Sequence, residues 1–245
     1  MRIRYALGLA VFVYIGLIGG SKDVYAAGPT SVRGEIKTST VWTQANSPYV
    51  IEGYGAYITS TLTIEPGVVV KFQSADTYLS IYPTGSLTAQ GTLEAPIVFT
   101  SYKDDAHGGD TNGDGGATTP DRGQWYAIIN NGRATFEHVE ILYGASSPMT
   151  AGVLTRSNTF NLKNSVIRDN LYACVALENV TTVTIENNVI SNCSIGVHMQ
   201  KFKYGAVAKV THNNIVGNTT GARVDSLIWW QPQWPLDARE NWWGD

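Results

Sequence analysis

From Tyr57 onward the chain alternates between apolar and polar residues over very short stretches. Thr182, Thr184 and Glu186 face one way, and Val183 and Ile185 face the other. A period of two belongs to a half-buried strand, not to a helix. The same alternation predicts strands at Tyr57–Ile64, Val68–Phe72, Tyr78–Ile81, Ser86–Ala89 and Ile97–Ser101. Pro66-Gly67, Pro83-Thr84-Gly85 and Glu94-Ala95-Pro96 separate them as turns. No α-helix is predicted after residue 26.

The second half repeats itself. Four segments align without gaps, starting at His138, Asn164, Asn187 and Asn213. Their fourth positions are Ile141, Ile167, Ile190 and Val216. Their sixth positions include Asp169, Asn192 and Asn218. A second apolar piece follows each: Gly152-Val153, Ala173-Cys174, Gly196-Val197 and Gly221-Ala222. A unit this short holds no βαβ crossover and cannot bury its apolar side alone. Stacked coils can, each laying its strands about 4.8 Å from those of the coil below. Asparagine at a repeated corner fits such a stack, because its amide bonds the next amide and tolerates a bent backbone. The expected fold is all-β, a single-stranded parallel β-helix with one Gly/Asp-rich loop inserted.

Residues 1–26 are expected to be a signal peptide. Arg2 and Arg4 precede an apolar run from Tyr5 to Gly20, and Val24-Tyr25-Ala26 precede the expected cleavage site. That places the protein outside the cytoplasm, secreted or on the cell surface. The β-helix domain is then 27–245, with no later membrane span. Removing residues 1–26 leaves fourteen Lys and Arg against nineteen Asp and Glu, a net charge of −5. No basic run remains to suit nucleic acid. Cys174 aligns with inward-pointing Val197, and Cys193 aligns with Asn170 at a corner. The two then sit at different places around the cross-section, which predicts free thiols.

Thr61–Phe72 (TLTIEPGVVVKF), Gly85–Ser101 (GSLTAQGTLEAPIVFTS) and Asn241–Asp245 (NWWGD) resemble secreted bacterial right-handed parallel β-helix proteins of the pectate-lyase-like superfamily. The resemblance covers roughly residues 34–245. It implies a right-handed coil, secretion, and a lateral face on which relatives act on polysaccharides. It also implies that chain normally continues beyond NWWG, so a truncated last coil is expected.

The insertion, 104–122, carries the motif DTNGDGGATTPD. Asp110, Asn112, Asp114, Gly116, Thr118 and Asp121 fall at ligand positions one, three, five, seven, nine and twelve of a calcium loop, with Gly115 at the tight turn. Hard oxygen donors on flexible backbone suit Ca²⁺. The expected role is a structural brace.

Catalytic chemistry is sparse. Only Asp104-Asp105 matches any motif of the hydrolases on this fold, and no carboxylate pair is apparent. The candidate cluster is His198, Arg223 and Asp225, which stacking places together on the outside of the coil beside Gln200 and Lys201. Trp229, Trp230 and Trp234 are candidate sugar-stacking residues, with burial as a cap the competing role. The expected function is non-catalytic binding of a polysaccharide or cell-surface glycan by a monomer. The alternative is a polysaccharide lyase or glycosidase, and a third reading is a stalk with no ligand.

Overall fold

A computed structural model describes residues 28–202, 208–225 and 236–244. The expected signal peptide and the tryptophans at 229, 230 and 234 lie outside them. The described chain is a parallel β-helix with three faces. The first face stacks Thr40–Trp42, Thr61–Ile64, Ser86–Gln90, Arg133–Glu137, Thr159–Lys163, Thr184–Glu186, Ala208–Thr211 and Leu236–Asp237. The second stacks Val69–Phe72, Ile97–Ser101, Val139–Leu142, Val166–Arg168, Val189–Ser191 and Asn214–Val216. The third stacks Tyr78–Ile81, Ala127–Asn130, Ala151–Thr155, Ala173–Val180, Ile195–Phe202 and Thr220–Val224. Tyr49–Ile58 bends to begin both the second and third faces, and Thr30–Ile36 pairs along both of its halves. Among the described residues, no helix is long and apolar enough to cross a membrane.

The alternation seen in the sequence explains the interior. On the second face Val70, Phe99, Ile141, Ile167, Ile190 and Ile215 stack directly over one another and are buried. On the third face Leu79, Ile128, Val153, Val175 and Val197 do the same. Trp125 is wholly buried against Phe72, with ring centroids 4.1 Å apart, and its indole N–H donates to the Leu142 carbonyl at 2.7 Å.

Three expectations need correction. The stretch Tyr57–Ile64 is two strands, because the chain bends at Thr59-Ser60 between the third and first faces. The fourth repeat starts one residue earlier than alignment on asparagine suggests. His212, not Asn213, takes the left-handed corner that His138, Asn164 and Asn187 take in earlier coils, with φ of 59° against 47°, 50° and 59°. Ile215 therefore joins the inner column in place of Val216, and Gly217 joins Tyr143, Asp169 and Asn192 at the second left-handed corner. Asn218 moves to the next position, level with Cys193 and Asn170.

The third correction concerns the cysteines. Cys174 and Cys193 are bridged, with α-carbons 5.7 Å apart. Ala173 pairs with Ile195 and Val175 with Val197, so Cys174 lies level with Gly196 and not with Val197. Only a few residues turn the chain from the second face to the third. The first residues of a third-face strand therefore lie beside the corner of the next coil, within bridging distance.

The corners carry the expected polar ladder, but on the residue after the left-handed one. The backbone N–H of Val139 donates to Ser165 Oγ, that of Ser165 to Asn188 Oδ1, that of Asn188 to Asn213 Oδ1, and that of Asn213 to Asn241 Oδ1. Each amide also returns a bond: Asn188 Nδ2 donates to the Leu162 carbonyl and Asn213 Nδ2 to that of Ile185. Asn241 of the NWWG segment is thus the next rung. Trp243 lies over Gly221, where a β-carbon would come within 2.8 Å of its ring.

Candidate functional site

Residues 102–124 leave the coil between Ser101 and the third-face strand that begins at Ala127. The insertion is tied down along the outside of the second face. Asp104 is buried and accepts from Thr100 Oγ1 at 2.6 Å, with His107 Nδ1 2.7 Å away. Burial works to raise the Asp104 pKa, but the bonds from His107 and Thr100 prevail and hold it below the usual range. The same bond raises the pKa of His107. Beneath the loop lies Lys71, an outward residue of its strand that the insertion buries completely; its ammonium donates to the Gly109 carbonyl at 2.6 Å. Burial lowers the Lys71 pKa, and the charges of Asp104, Asp105 and Asp110 oppose that shift.

Within the loop Asp110 accepts the backbone N–H groups of Gly113, Asp114 and Gly115 at 2.8–3.1 Å. Asp114 accepts those of Gly116, Ala117 and Thr118 at 2.8–3.0 Å, together with the Thr118 hydroxyl and the Asn112 amide. Of the expected ligands, Asp110, Asn112, Asp114, Gly116 and Thr118 are therefore neighbours. Asp121 is exposed and outside the carboxylate cluster; Asp105 converges there instead, its carboxylate oxygens and those of Asp110 and Asp114 lying within 4.8 Å of one another. Asp105 Oδ1 and Asn112 Oδ1 are buried and accept no hydrogen bond. A twelve-residue motif could not find Asp105, because it precedes the motif and reaches it only through the fold of the loop.

The second site lies on the outside of the third face, near the later coils. His198 stands directly beside Arg223, the register expected, and Val197 and Met199 point inward. His198 Nε2 is 2.8 Å from Asp225 Oδ2, and Arg223 Nε donates to Asp225 Oδ1 at 2.7 Å. His198 is nearly buried, whereas Asp225 and Arg223 are partly exposed. Burial works to raise the Asp225 pKa, but the bonds from His198 and Arg223 hold it below its ordinary value. Lys201 Nζ donates to Glu178 Oε1 at 2.7 Å, and Arg156 Nε to Glu178 Oε2 at 2.6 Å. Burial likewise opposes these two bonds, which keep the Glu178 pKa low.

His198, Lys201, Arg223 and Asp225 form one side of a groove of about 920 Å³. Pro148, Met149 and Tyr172 contribute to its lining, as do Ala173, Ile195 and Thr220. Gln200 Nε2 reaches the Met149 carbonyl at 3.3 Å. The disulfide adjoins the groove, since Ala173 and Ser194, the neighbours of the two cysteines, both line it. The Met149 side was not legible in the sequence, because the loop that carries it belongs to a coil two turns earlier.

A three-faced stack of parallel coils with a lateral groove defines a β-helix protein. Two family models match the chain, "Right handed beta helix region" over residues 121–226 and "Pectate-lyase like beta helix domain" over residues 34–155. The chain belongs to the right-handed, pectate-lyase-like β-helix proteins. That membership supports a surface or carbohydrate-related role. No curated protein and no solved structure matches the chain significantly.

Proposed function

We propose that the protein binds glycan chains without cleaving them, in the groove on the outside of the third face. The observation that carries this reading is the state of the carboxylates. Asp225 faces the groove and Glu178 lies behind Lys201, and both are held ionised by basic partners. Glycoside hydrolysis needs one carboxyl kept protonated as the acid while the other stays charged. In neither environment does burial prevail to leave a carboxyl pKa raised. Paired acids and bases do suit sugar hydroxyls, which both donate and accept, and apolar Ala173 and Ile195 offer a floor for a ring face.

Replacing Arg223 and Asp225 together by alanine should weaken binding about tenfold or more, since a hydrogen bond to a charged group contributes roughly 1.5–3 kcal/mol. Calorimetry with oligosaccharides chosen from a glycan array measures it. The His198–Asp225 contact favours one rival, a lyase using His198 as base. Release of reducing ends, or of products with unsaturated absorbance, from a polysaccharide panel overturns the non-catalytic reading.

The same proposal includes calcium as a brace for the insertion. Asp105, Asp110, Asn112, Asp114 and Thr118 would hold the ion, which would supply charge neutralisation and cross-linking to a loop that has little apolar content. Two observations support the fit. The unpartnered oxygens of Asp105 and Asn112 lack the donor that a buried acceptor requires. Asp105, Asp110 and Asp114 bring three carboxylates together, and Lys71, whose ammonium is taken up by the Gly109 carbonyl, feels Asp105 and Asp110 but does not balance all three charges. Calcium at a hundredfold excess over its dissociation constant should stabilise the fold by about 2.7 kcal/mol, read as a rise in melting temperature. Asp110→Ala with Asp114→Ala should abolish the rise, and Asp105→Asn should reduce it. Asp121→Asn should leave it intact, because that carboxylate points elsewhere. No calcium-dependent change in melting or in proteolysis of residues 104–122 overturns the brace.

A further inference from the structure

The outside of the third face has a second feature, near its first coils. Four tyrosines lie there, clear of the core. Tyr57 points outward between inward Ala56 and Ile58, Tyr78 and Tyr82 bracket Leu79–Ile81, and Tyr126 immediately precedes Ala127. Their rings form a connected series. Tyr57 and Tyr78 meet edge to face at 5.7 Å, Tyr57 and Tyr82 lie 5.9 Å apart, and Tyr78 and Tyr126 lie 6.1 Å apart. Tyr78 Oη donates to Tyr57 Oη at 3.2 Å. That bond, with burial second, pushes the Tyr78 pKa up to about 12, so the hydroxyl stays neutral. Gly55 permits the close stacking beneath, since a β-carbon there would meet the Tyr78 carbonyl at 1.9 Å.

Between Tyr57 and Tyr82 is a hollow of about 240 Å³, completed by Thr59 and Glu35. Thr59 Oγ1 donates to Glu35 Oε1 at 2.8 Å, and Lys37 lies 3.4 Å from Glu35 Oε2. The inner stacks of aliphatic residues close the core without these rings, so packing alone does not account for a row of phenols on the wet side of a sheet. The chemistry of the row is that of a sugar-binding surface. Phenol faces take the C–H face of a pyranose ring, and phenol tips and the Thr59–Glu35 pair meet its hydroxyls. Electron-rich ring faces disfavour an anion, and Glu35, paired with Lys37, leaves no net positive charge in the hollow to attract a uronate. Coils repeat about every 4.8 Å. Tyr57, Tyr78 and Tyr126 lie on three successive coils, with Tyr57 level with Ser80 and Tyr78 level with Ala127, so the row runs obliquely across the third face toward the later coils that hold the groove.

We propose that this tyrosine row binds a neutral polysaccharide lying obliquely across the third face, so that row and groove are two contact regions for one long chain. The inference rests on the glycan-binding reading of the groove and narrows its ligand to an uncharged polymer. Native affinity electrophoresis tests it, with gels containing hydroxyethyl cellulose, xyloglucan, galactomannan or polygalacturonate. Retardation is expected in at least one neutral gel and not in polygalacturonate. Tyr57→Ala with Tyr82→Ala should weaken that retardation on the order of tenfold. Tyr57→Phe, which keeps the ring, should retain most of it, and unchanged melting of all variants excludes a folding effect. Short oligosaccharides bound in the groove should lose affinity in the Arg223/Asp225 variant and keep it in the tyrosine variant. If the tyrosine variant is retarded like wild type, or only polygalacturonate retards the protein, or no gel does, the tyrosine proposal is overturned. If the tyrosine variant loses retardation while the Arg223/Asp225 variant binds short and long chains normally, the groove reading is the one that fails.

Discussion

Asn188→Ala should destabilise the protein by about 4 kcal/mol. Asn188 is almost completely buried at the first corner. Its Oδ1 accepts the Ser165 N–H at 3.0 Å, and its Nδ2 donates to the Leu162 carbonyl at 2.9 Å. Alanine leaves both of those backbone groups buried and unpaired, at roughly 1–3 kcal/mol each. Its own backbone N–H keeps its partner, Asn213 Oδ1, so the loss falls on the preceding coil. A fall in melting temperature of about 10 °C corresponds to that energy in a chain of this size. Val189→Ala, next in sequence but pointing outward, should change stability by less than about 0.5 kcal/mol. Equal melting of the two variants shows that the ladder does not hold the coils together.

Removing the disulfide should cost about 3 kcal/mol. The bridge joins residues 19 apart in sequence, and a loop of that order restricts the unfolded chain by roughly that amount. Cys174→Ser with Cys193→Ser should therefore melt several degrees lower than wild type, and reductant should lower wild-type melting to match. Thiol titration of the denatured, unreduced protein should count no free thiol. A count of two, or unchanged melting after reduction, refutes the bridge as a stabilising element.

The parallel solenoid was legible because each coil obeys a local rule. Alternation assigns Val183 and Ile185 inward and Thr184 outward whatever lies nearby, and the left-handed corners use asparagine or another residue that tolerates positive φ. Stacking then makes the partner of each residue its equivalent one repeat later, so His198 beside Arg223 could be read from alignment alone. The same logic failed by one residue where chemistry and conformation diverge. His212 takes a corner that asparagine takes elsewhere, and Cys174 occupies a column otherwise filled by glycine at 152, 196 and 221.

What the sequence by itself determined is therefore the periodic part: an all-β coil stack, its inward and outward faces, its asparagine corners, and the placing of His198, Arg223 and Asp225 on one surface. These follow from period and register, which are properties of neighbouring repeats. Only the tertiary structure decided the contacts made by segments that break the period. The insertion folds back over Lys71 and brings Asp105, rather than Asp121, to Asp110 and Asp114. The loop at Met149 closes over a strand two coils away, and the corner after Ser191 swings Cys193 to Cys174. The tyrosines of three separate coils likewise become one row only when those coils stack. A repeat dictates where its own equivalents lie; a loop has no equivalent, and its place is set by what it buries and which polar groups it satisfies.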